Sequence, residues 1–175
     1  MRFRPAVVLC ALLAVPAAAQ QPARTPDIHF TPTRHNIADA MLQLGSVTAD
    51  DVVYDLGSGD GRIPIIAAQK YGARGVGIEI DPKLVEISWR IANEAEVAHR
   101  VSFVVGDLFE TDLSKATVIT TYLSPTIMKM LAPRLRALKP GTRIVSHQFP
   151  MPGWTPDRRI KVDESELLLW IVPKG

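Results

Sequence analysis

The most informative segment of this sequence is Val53-Tyr54-Asp55-Leu56-Gly57-Ser58-Gly59-Asp60-Gly61. An apolar run that continues into three alternating glycines predicts a buried strand that turns tightly into a helix. Glycine lets the backbone approach a ligand closely, and the start of the following helix presents free N–H groups. The stretch therefore predicts a ligand site over the carboxyl end of this strand.

The residues around the glycine-rich turn narrow the class of ligand. A nucleoside triphosphate loop needs Lys followed by Ser or Thr at the helix start, whereas Arg62-Ile63 stands here. The Asp55 carboxylate would repel a pyrophosphate and attract a cationic amino group. Glu79 lies 24 residues after Asp55, near the spacing at which an acidic residue accepts hydrogen bonds from ribose hydroxyls. A nucleoside that carries a cationic amino group is the ligand these residues favour.

Strand and helix patterns alternate along the rest of the chain. A short helix, with Ile37 and Met41 on its apolar stripe, is predicted before the first strand and ends at Gly45. Apolar runs predict five strands, at residues 52–56, 75–80, 101–105, 116–122 and 142–147, with helices at 63–71, from Pro82, and from Pro125. Two further runs, 159–162 and 167–172, predict an antiparallel hairpin. The predicted fold is α/β, a doubly wound, mostly parallel seven-stranded sheet with a C-terminal antiparallel hairpin.

The first 32 residues precede the predicted domain. Arg2 and Arg4 stand before an apolar run, residues 6–15, and the small residues 17–19, the pattern of a signal peptide cleaved after Ala19. The run is shorter than the roughly 20 residues that span a bilayer, so no permanent membrane span is expected. We therefore expect a signal peptide at 1–19, a linker at 20–32, a single domain at 33–175 and an exported protein. A mitochondrial or membrane-anchored location is the alternative.

The composition of the domain limits the kinds of partner that it can bind. Without Arg2 and Arg4, the 20 basic residues become 18 and balance the 18 acidic ones. A neutral domain without basic runs lacks the electrostatic footprint of a nucleic-acid binder. Cys10, the only cysteine, lies in the predicted signal peptide, so the domain has no thiol for catalysis or a disulfide. The histidines show no spacing typical of metal ligands, and no metal is expected.

The block from Asp55 to Gly61, followed by Glu79 and Gly106-Asp107, resembles the class I S-adenosyl-L-methionine (SAM)-dependent methyltransferases. The resemblance implies that SAM is the cofactor and that Glu79 binds its ribose, Asp107 its adenine amino group, and Ile80 and Leu108 its adenine ring. It implies that the methionine part is held by Asp55, Gly57, Ser58, Gly59 and Gly61.

Two flanking segments are similar to a narrower family. Phe30-Thr31-Pro32-Thr33 and Phe149-Pro150-Met151-Pro152-Gly153-Trp154 resemble segments of the mitochondrial lysine methyltransferases that act on the adenine nucleotide translocase and the ATP synthase c-subunit. This resemblance implies transfer of a methyl group to an amine, in particular a protein lysine. Tyr122, at the end of the fourth strand, is the candidate catalytic residue that orients the amine, or else it only caps the pocket.

Trp154 is either an aromatic wall for the amine or an anchor for its loop. A single helix, 33–44, is available to cover the site, and an open site suits a protein substrate. A small-molecule methyltransferase and a non-catalytic SAM-binding protein are the alternatives, the latter because export would separate the protein from the compartment that makes SAM.

Overall fold

The computed structural model describes residues 31–174, and strands and helices alternate through them as the sequence predicts. The elements are α1 His35–Leu44, β1 Val52–Leu56, α2 Arg62–Tyr71, β2 Arg74–Glu79, α3 Pro82–Glu94, β3 Val101–Val105, β4 Val118–Thr121, α4 Pro125–Arg136, β5 Arg143–His147, β6 Arg158–Val162 and β7 Ser165–Ile171.

The strands form one seven-stranded sheet in the order β3-β2-β1-β4-β5-β7-β6. Strands β1 to β5 are parallel where they pair, and β7 runs antiparallel to both β5 and β6. The predicted doubly wound sheet and its C-terminal hairpin are therefore confirmed. The strand order reverses between β1 and β4, and such a switch point opens a crevice at the carboxyl ends of these strands.

Three predicted boundaries are wrong by two residues. The first helix begins at His35 rather than residue 33. The fourth strand begins at Val118 rather than residue 116, because Ala116 closes a turn by donating its N–H to the carbonyl of Leu113 at 3.1 Å. The hairpin turn is shorter than predicted, since β7 already starts at Ser165. Asp163 adopts a positive φ of 52° there, the conformation that short hairpin turns require.

Helices cover both faces of the sheet. The first core lies between α1 and α2 and the sheet, with Val53, Val118 and Val145 on the strands. On the same face, α3 packs through Val85 and Ala92 against Phe103 of β3. On the opposite face α4 packs Met128, Leu131 and Leu135 against a layer that includes the fully buried Trp170. With both faces covered, the edge at the carboxyl ends of the strands remains open for a ligand.

Side-chain caps start two helices at this edge. Asp81 accepts a hydrogen bond from the N–H of Lys83 at the start of α3, and Ser124 accepts one from Ile127 at the start of α4. Each cap is followed by a proline, whose missing N–H costs nothing at the first helical position. Across residues 31–174, none of the helices has the length and apolar character needed to cross a membrane.

Candidate functional site

A cavity of about 590 Å³ lies at the carboxyl ends of β1, β2 and β4. Its size is within the range of cofactor and small-molecule sites. Of the residues singled out from the sequence, the following line it: Asp55, Gly57, Ser58, Glu79, Ile80, Asp107, Leu108 and Tyr122. The topology thus brings together residues that are up to 67 positions apart in the chain.

Gly59 and Gly61, which were expected to contact the cofactor, do not line the cavity. Gly59 donates its N–H to Glu79 Oε2 at 2.9 Å. Gly61 has φ +75°, and a Cβ there would lie 2.5 Å from Cε1 of Phe103 on β3. These two glycines therefore set the shape of the turn and let it pack against the sheet, rather than forming the cavity wall.

Asp55 is the buried carboxyl group at the floor of the cavity. It is 4% exposed, and its Oδ1 accepts a hydrogen bond from Thr120 Oγ1 on β4 at 2.7 Å. Burial raises the pKa of Asp55 to about 7, opposed by the Thr120 hydrogen bond and aided by the negative charges of Glu79 and Asp60. A cationic group in the cavity would favour the ionised form of this carboxyl group.

Glu79 is held by three backbone N–H groups. Its Oε1 accepts from Ile80 at 2.8 Å and Asp81 at 3.0 Å, while Oε2 accepts from Gly59. The carboxylate thus ties the glycine-rich turn to the start of α3. A carboxylate has about four acceptor positions, so one remains for a ligand hydroxyl, consistent with the ribose role that the resemblance implies.

Two polar contributions to the cavity, from Arg62 and Thr120, could not be read from the sequence. Arg62 donates from Nε to Asp60 at 2.8 Å and from a guanidinium nitrogen to the Thr33 carbonyl at 2.6 Å, which holds residues 31–33 on the cavity wall. Thr120, whose hydroxyl reaches Asp55, gave no signal in a buried strand. Ser58 lines the cavity, but its hydroxyl oxygen is buried against Gly77 of β2 and has no hydrogen-bond partner within residues 31–174.

The cavity is acidic although basic and acidic residues balance over residues 20–175. Carboxyl groups line it at five positions, Asp55, Asp60, Glu79, Asp81 and Asp107, and Arg62 is the one basic residue of its wall within the described part of the chain. Negative charge concentrated in a cleft raises the local concentration of cations. SAM carries both an ammonium and a sulfonium group, so the charge and the size of the cavity fit this cofactor.

Aromatic side chains border the far end of the cavity. The half-buried Tyr122 ring stacks on His147 with centroids 4.0 Å apart and lies nearly parallel to Phe149 at 6.2 Å. Trp154 does not line the cavity. Instead it packs against Trp170 at 6.2 Å beneath the Arg136 guanidinium, and its carbonyl accepts a hydrogen bond from Trp170 Nε1. The interpretation of Trp154 as a loop anchor is therefore the correct one.

The known proteins that this chain resembles are methyltransferases. Residues 55–158 match the ANTKMT methyltransferase domain. A protein-lysine N-methyltransferase of Saccharolobus islandicus is 41% identical over 144 residues, covering 81% of this chain and 89% of that protein. The ATP synthase c-subunit lysine N-methyltransferase of Xenopus laevis is 36% identical over 85% of this chain, which spans 66% of the frog protein.

A solved structure is also similar. The crystal structure of an RNA methyltransferase from Salinibacter ruber in complex with S-adenosyl-L-homocysteine has 51% identity and a TM-score of 0.81, and the match covers 83% of this chain and 95% of that one.

The doubly wound sheet with its acidic cavity, taken with these matches, is that of a SAM-dependent methyltransferase. Within this class, the chain belongs to the ANTKMT methyltransferase family.

Proposed function

We propose that this enzyme transfers a methyl group from SAM to the ε-amino group of a lysine in a protein substrate. The observation that carries the proposal is the charge of the cavity: five carboxyl groups and one arginine, in a wall that ends at Tyr122. Such a wall attracts a cationic cofactor and a cationic side chain together. Two relatives are named as protein-lysine and ATP synthase c-subunit lysine N-methyltransferases, which supports the same acceptor.

In this proposal the residues near the switch point hold SAM. Asp55 faces its ammonium group, Glu79 a ribose hydroxyl and Asp107 the adenine amino group, with Ile80 and Leu108 on either side of the ring. Gly57 leaves space at the turn, since a Cβ there would already lie 3.0 Å from Leu123 Cδ2. SAM supplies an electrophilic methyl group on a positively charged sulfur.

The protein's contribution to the reaction is alignment in a site that excludes water. The acceptor ammonium first loses a proton to solvent. The positive sulfur of SAM and the apolar side chains of Leu123 and Ile127 lower its pKa, against the carboxyl groups of the wall, which raise it. The nitrogen lone pair of the acceptor then attacks the methyl carbon while the carbon–sulfur bond breaks and its electron pair stays on sulfur. Holding the reacting atoms in line accounts for most of the acceleration in such a displacement. In this scheme Tyr122 orients the nitrogen.

RNA is the second candidate acceptor, because the Salinibacter ruber relative is named as an RNA methyltransferase. A polynucleotide brings one negative charge for each phosphate, and tight binding requires Lys and Arg side chains to neutralise them. The carboxyl groups of the cavity wall would repel those phosphates. The charge of the site therefore favours the lysine acceptor.

The test supplies methyl-labelled SAM to the purified enzyme with three separate fractions of an extract of the source organism: exported and membrane proteins, total RNA, and small metabolites. We expect label in protein alone, and no label with Asp55→Asn, the matched control for cofactor binding. Label in the RNA fraction would replace the proposal with the second candidate. Label only in metabolites would point to a small-molecule methyltransferase, and SAM binding without any transfer to a non-catalytic protein.

We also propose that residues 1–19 direct export, on the strength of the sequence pattern alone, because these residues lie outside the described part of the chain. N-terminal sequencing of the protein from its native cell should find Gln20 first. A cytoplasmic product that retains residues 1–19 would contradict export.

A further inference from the structure

A strained turn follows β5 immediately beside the cavity. Gln148 has φ +70°, and the N–H of Phe149 donates to the carbonyl of His147 at 2.9 Å. A hydrogen bond from residue i+2 to residue i around a positive φ is the pattern of the classic γ-turn, which is rare and strained. Strained residues of this kind persist where surrounding contacts hold them, and they concentrate at functional sites.

Side chains fix the γ-turn on both sides. The Gln148 N–H donates to the Glu166 carbonyl on β7, and the Gln148 side-chain carbonyl accepts from the Glu166 N–H, each at 2.8 Å. The Ser146 hydroxyl donates to the Phe149 carbonyl at 2.7 Å. The chain therefore reverses sharply and in one conformation, so that the Phe149 ring lies on the cavity wall beside Tyr122.

We infer that Phe149, positioned by the γ-turn at Gln148, is a specificity-determining residue that forms with Tyr122 an aromatic wall for the alkylammonium side chain of the acceptor. Both rings line the cavity, and they are nearly parallel, with an angle of 12° between their planes. The inference rests on the proposed function, because it deepens the choice of acceptor at the same site.

The chemistry of the wall explains why it would select a lysine. Aromatic rings attract a cation through their quadrupole and bury the aliphatic stem without requiring a directed hydrogen bond. A neutral alcohol of the same length carries no positive charge and gains no comparable attraction from these rings. The stacked His147 fixes the Tyr122 ring from beneath, and its Nε2 is already engaged with Ser165 Oγ at 2.9 Å.

The first experiment measures steady-state methylation of the protein acceptor by four variants. Phe149→Leu should raise KM for the acceptor about 3- to 30-fold, the range that a partly desolvated cation–aromatic contact supports, while the Kd of SAM changes less than about twofold. Gln148→Ala should raise KM similarly, because it keeps the strain and loses the contact to Glu166. Gln148→Gly, which accepts positive φ without strain, should restore a KM near that of the wild type. Trp154→Phe, an aromatic change outside the cavity, is the control and should leave KM unchanged.

The second experiment uses probes and needs no methyl transfer. Calorimetry on the enzyme saturated with S-adenosyl-L-homocysteine should show tighter binding of n-butylammonium than of n-butanol, with the preference lost in Phe149→Leu. An unchanged KM in Phe149→Leu, or an equal affinity of the wild type for the two probes, would overturn the inference. A wild-type enzyme that prefers n-butylammonium yet methylates no lysine would instead overturn the proposed acceptor and leave the aromatic wall standing.

Discussion

The raised pKa of Asp55 makes the affinity for SAM depend on pH in a predictable direction. The carboxyl group must be ionised to pair with the ammonium of SAM, and in the free protein it ionises only near its pKa of about 7. The ionised fraction falls from about one half at pH 7.0 to about 0.03 at pH 5.5, so affinity should fall about 16-fold over this interval. SAM keeps its own ammonium throughout, since an α-amino group has a pKa of about 7.7–8.0.

Isothermal titration calorimetry across this interval, with wild type and Asp55→Asn, measures the effect. The variant should bind more weakly at pH 7.0 and show less than about a twofold change with pH, because its side chain does not ionise. Thr120→Val should move the midpoint for SAM binding to higher pH by removing the hydrogen bond that lowers the pKa of Asp55, while Thr120→Ser keeps the hydroxyl and serves as its control. A flat profile in the wild type, or the same slope in Asp55→Asn, would show that ionisation of Asp55 does not control the affinity for SAM.

The ionisation of Asp55 also makes the stability of the folded protein depend on pH, but in the opposite direction from SAM affinity. In the unfolded chain the pKa of Asp55 lies near its ordinary value of 3.8, whereas the folded protein keeps the proton until about pH 7. The folded state is therefore stabilised at low pH, and this contribution is lost as pH rises through about 7, a loss on the order of 4 kcal/mol. In the absence of SAM, the difference in Tm between Asp55→Asn and wild type should grow in favour of the variant between about pH 4 and pH 7.

Three further substitutions test separate parts of the site. Glu79→Ala should weaken SAM binding by about 1–3 kcal/mol, the cost of unpaired buried hydroxyls, and calorimetry with unchanged affinity would remove Glu79 from the site. Gly61→Ala should lower the free energy of unfolding by more than about 1 kcal/mol, because it combines positive φ with a clash against Phe103; an unchanged denaturation midpoint would show that the turn relaxes. Tyr122→Phe should lower kcat more than SAM affinity, and a matching loss in both would place Tyr122 at the cofactor rather than at the acceptor.

Local sequence signals were sufficient for most of the fold. Gly45 and Gly72 at helix ends, Asp81-Pro82 and Ser124-Pro125 at helix starts, and apolar runs between them predict the elements to within a few residues. These signals act over one or two turns of chain, so they can be read directly. The alternation of strands and helices then leaves few topologies open, and the parallel sheet follows from it.

The site was predictable only where its residues belong to a contiguous motif or end a predicted strand. Asp55, Glu79 and Asp107 meet one or both of these conditions. Thr120 meets neither condition, because it reaches the site through a hydrogen bond across 65 residues. Phe149 opens a segment that the sequence singled out, but its place on the cavity wall depends on a γ-turn that β7 holds. The sequence suggested Trp154 as the aromatic residue of the site, but Trp154 packs against the core. The turn at Gln148 places Phe149, rather than Trp154, on the cavity wall.

The identity of the methylated amino acid distinguishes a lysine acceptor from any other side chain. Protein labelled by the wild-type enzyme and methyl-labelled SAM is hydrolysed to free amino acids, which are separated and identified by mass spectrometry. We expect the label to be recovered as ε-N-methylated lysine, and none to be recovered with Asp55→Asn. Recovery of the label in methylated arginine, histidine or a carboxyl ester, with none in lysine, would contradict the proposed lysine acceptor.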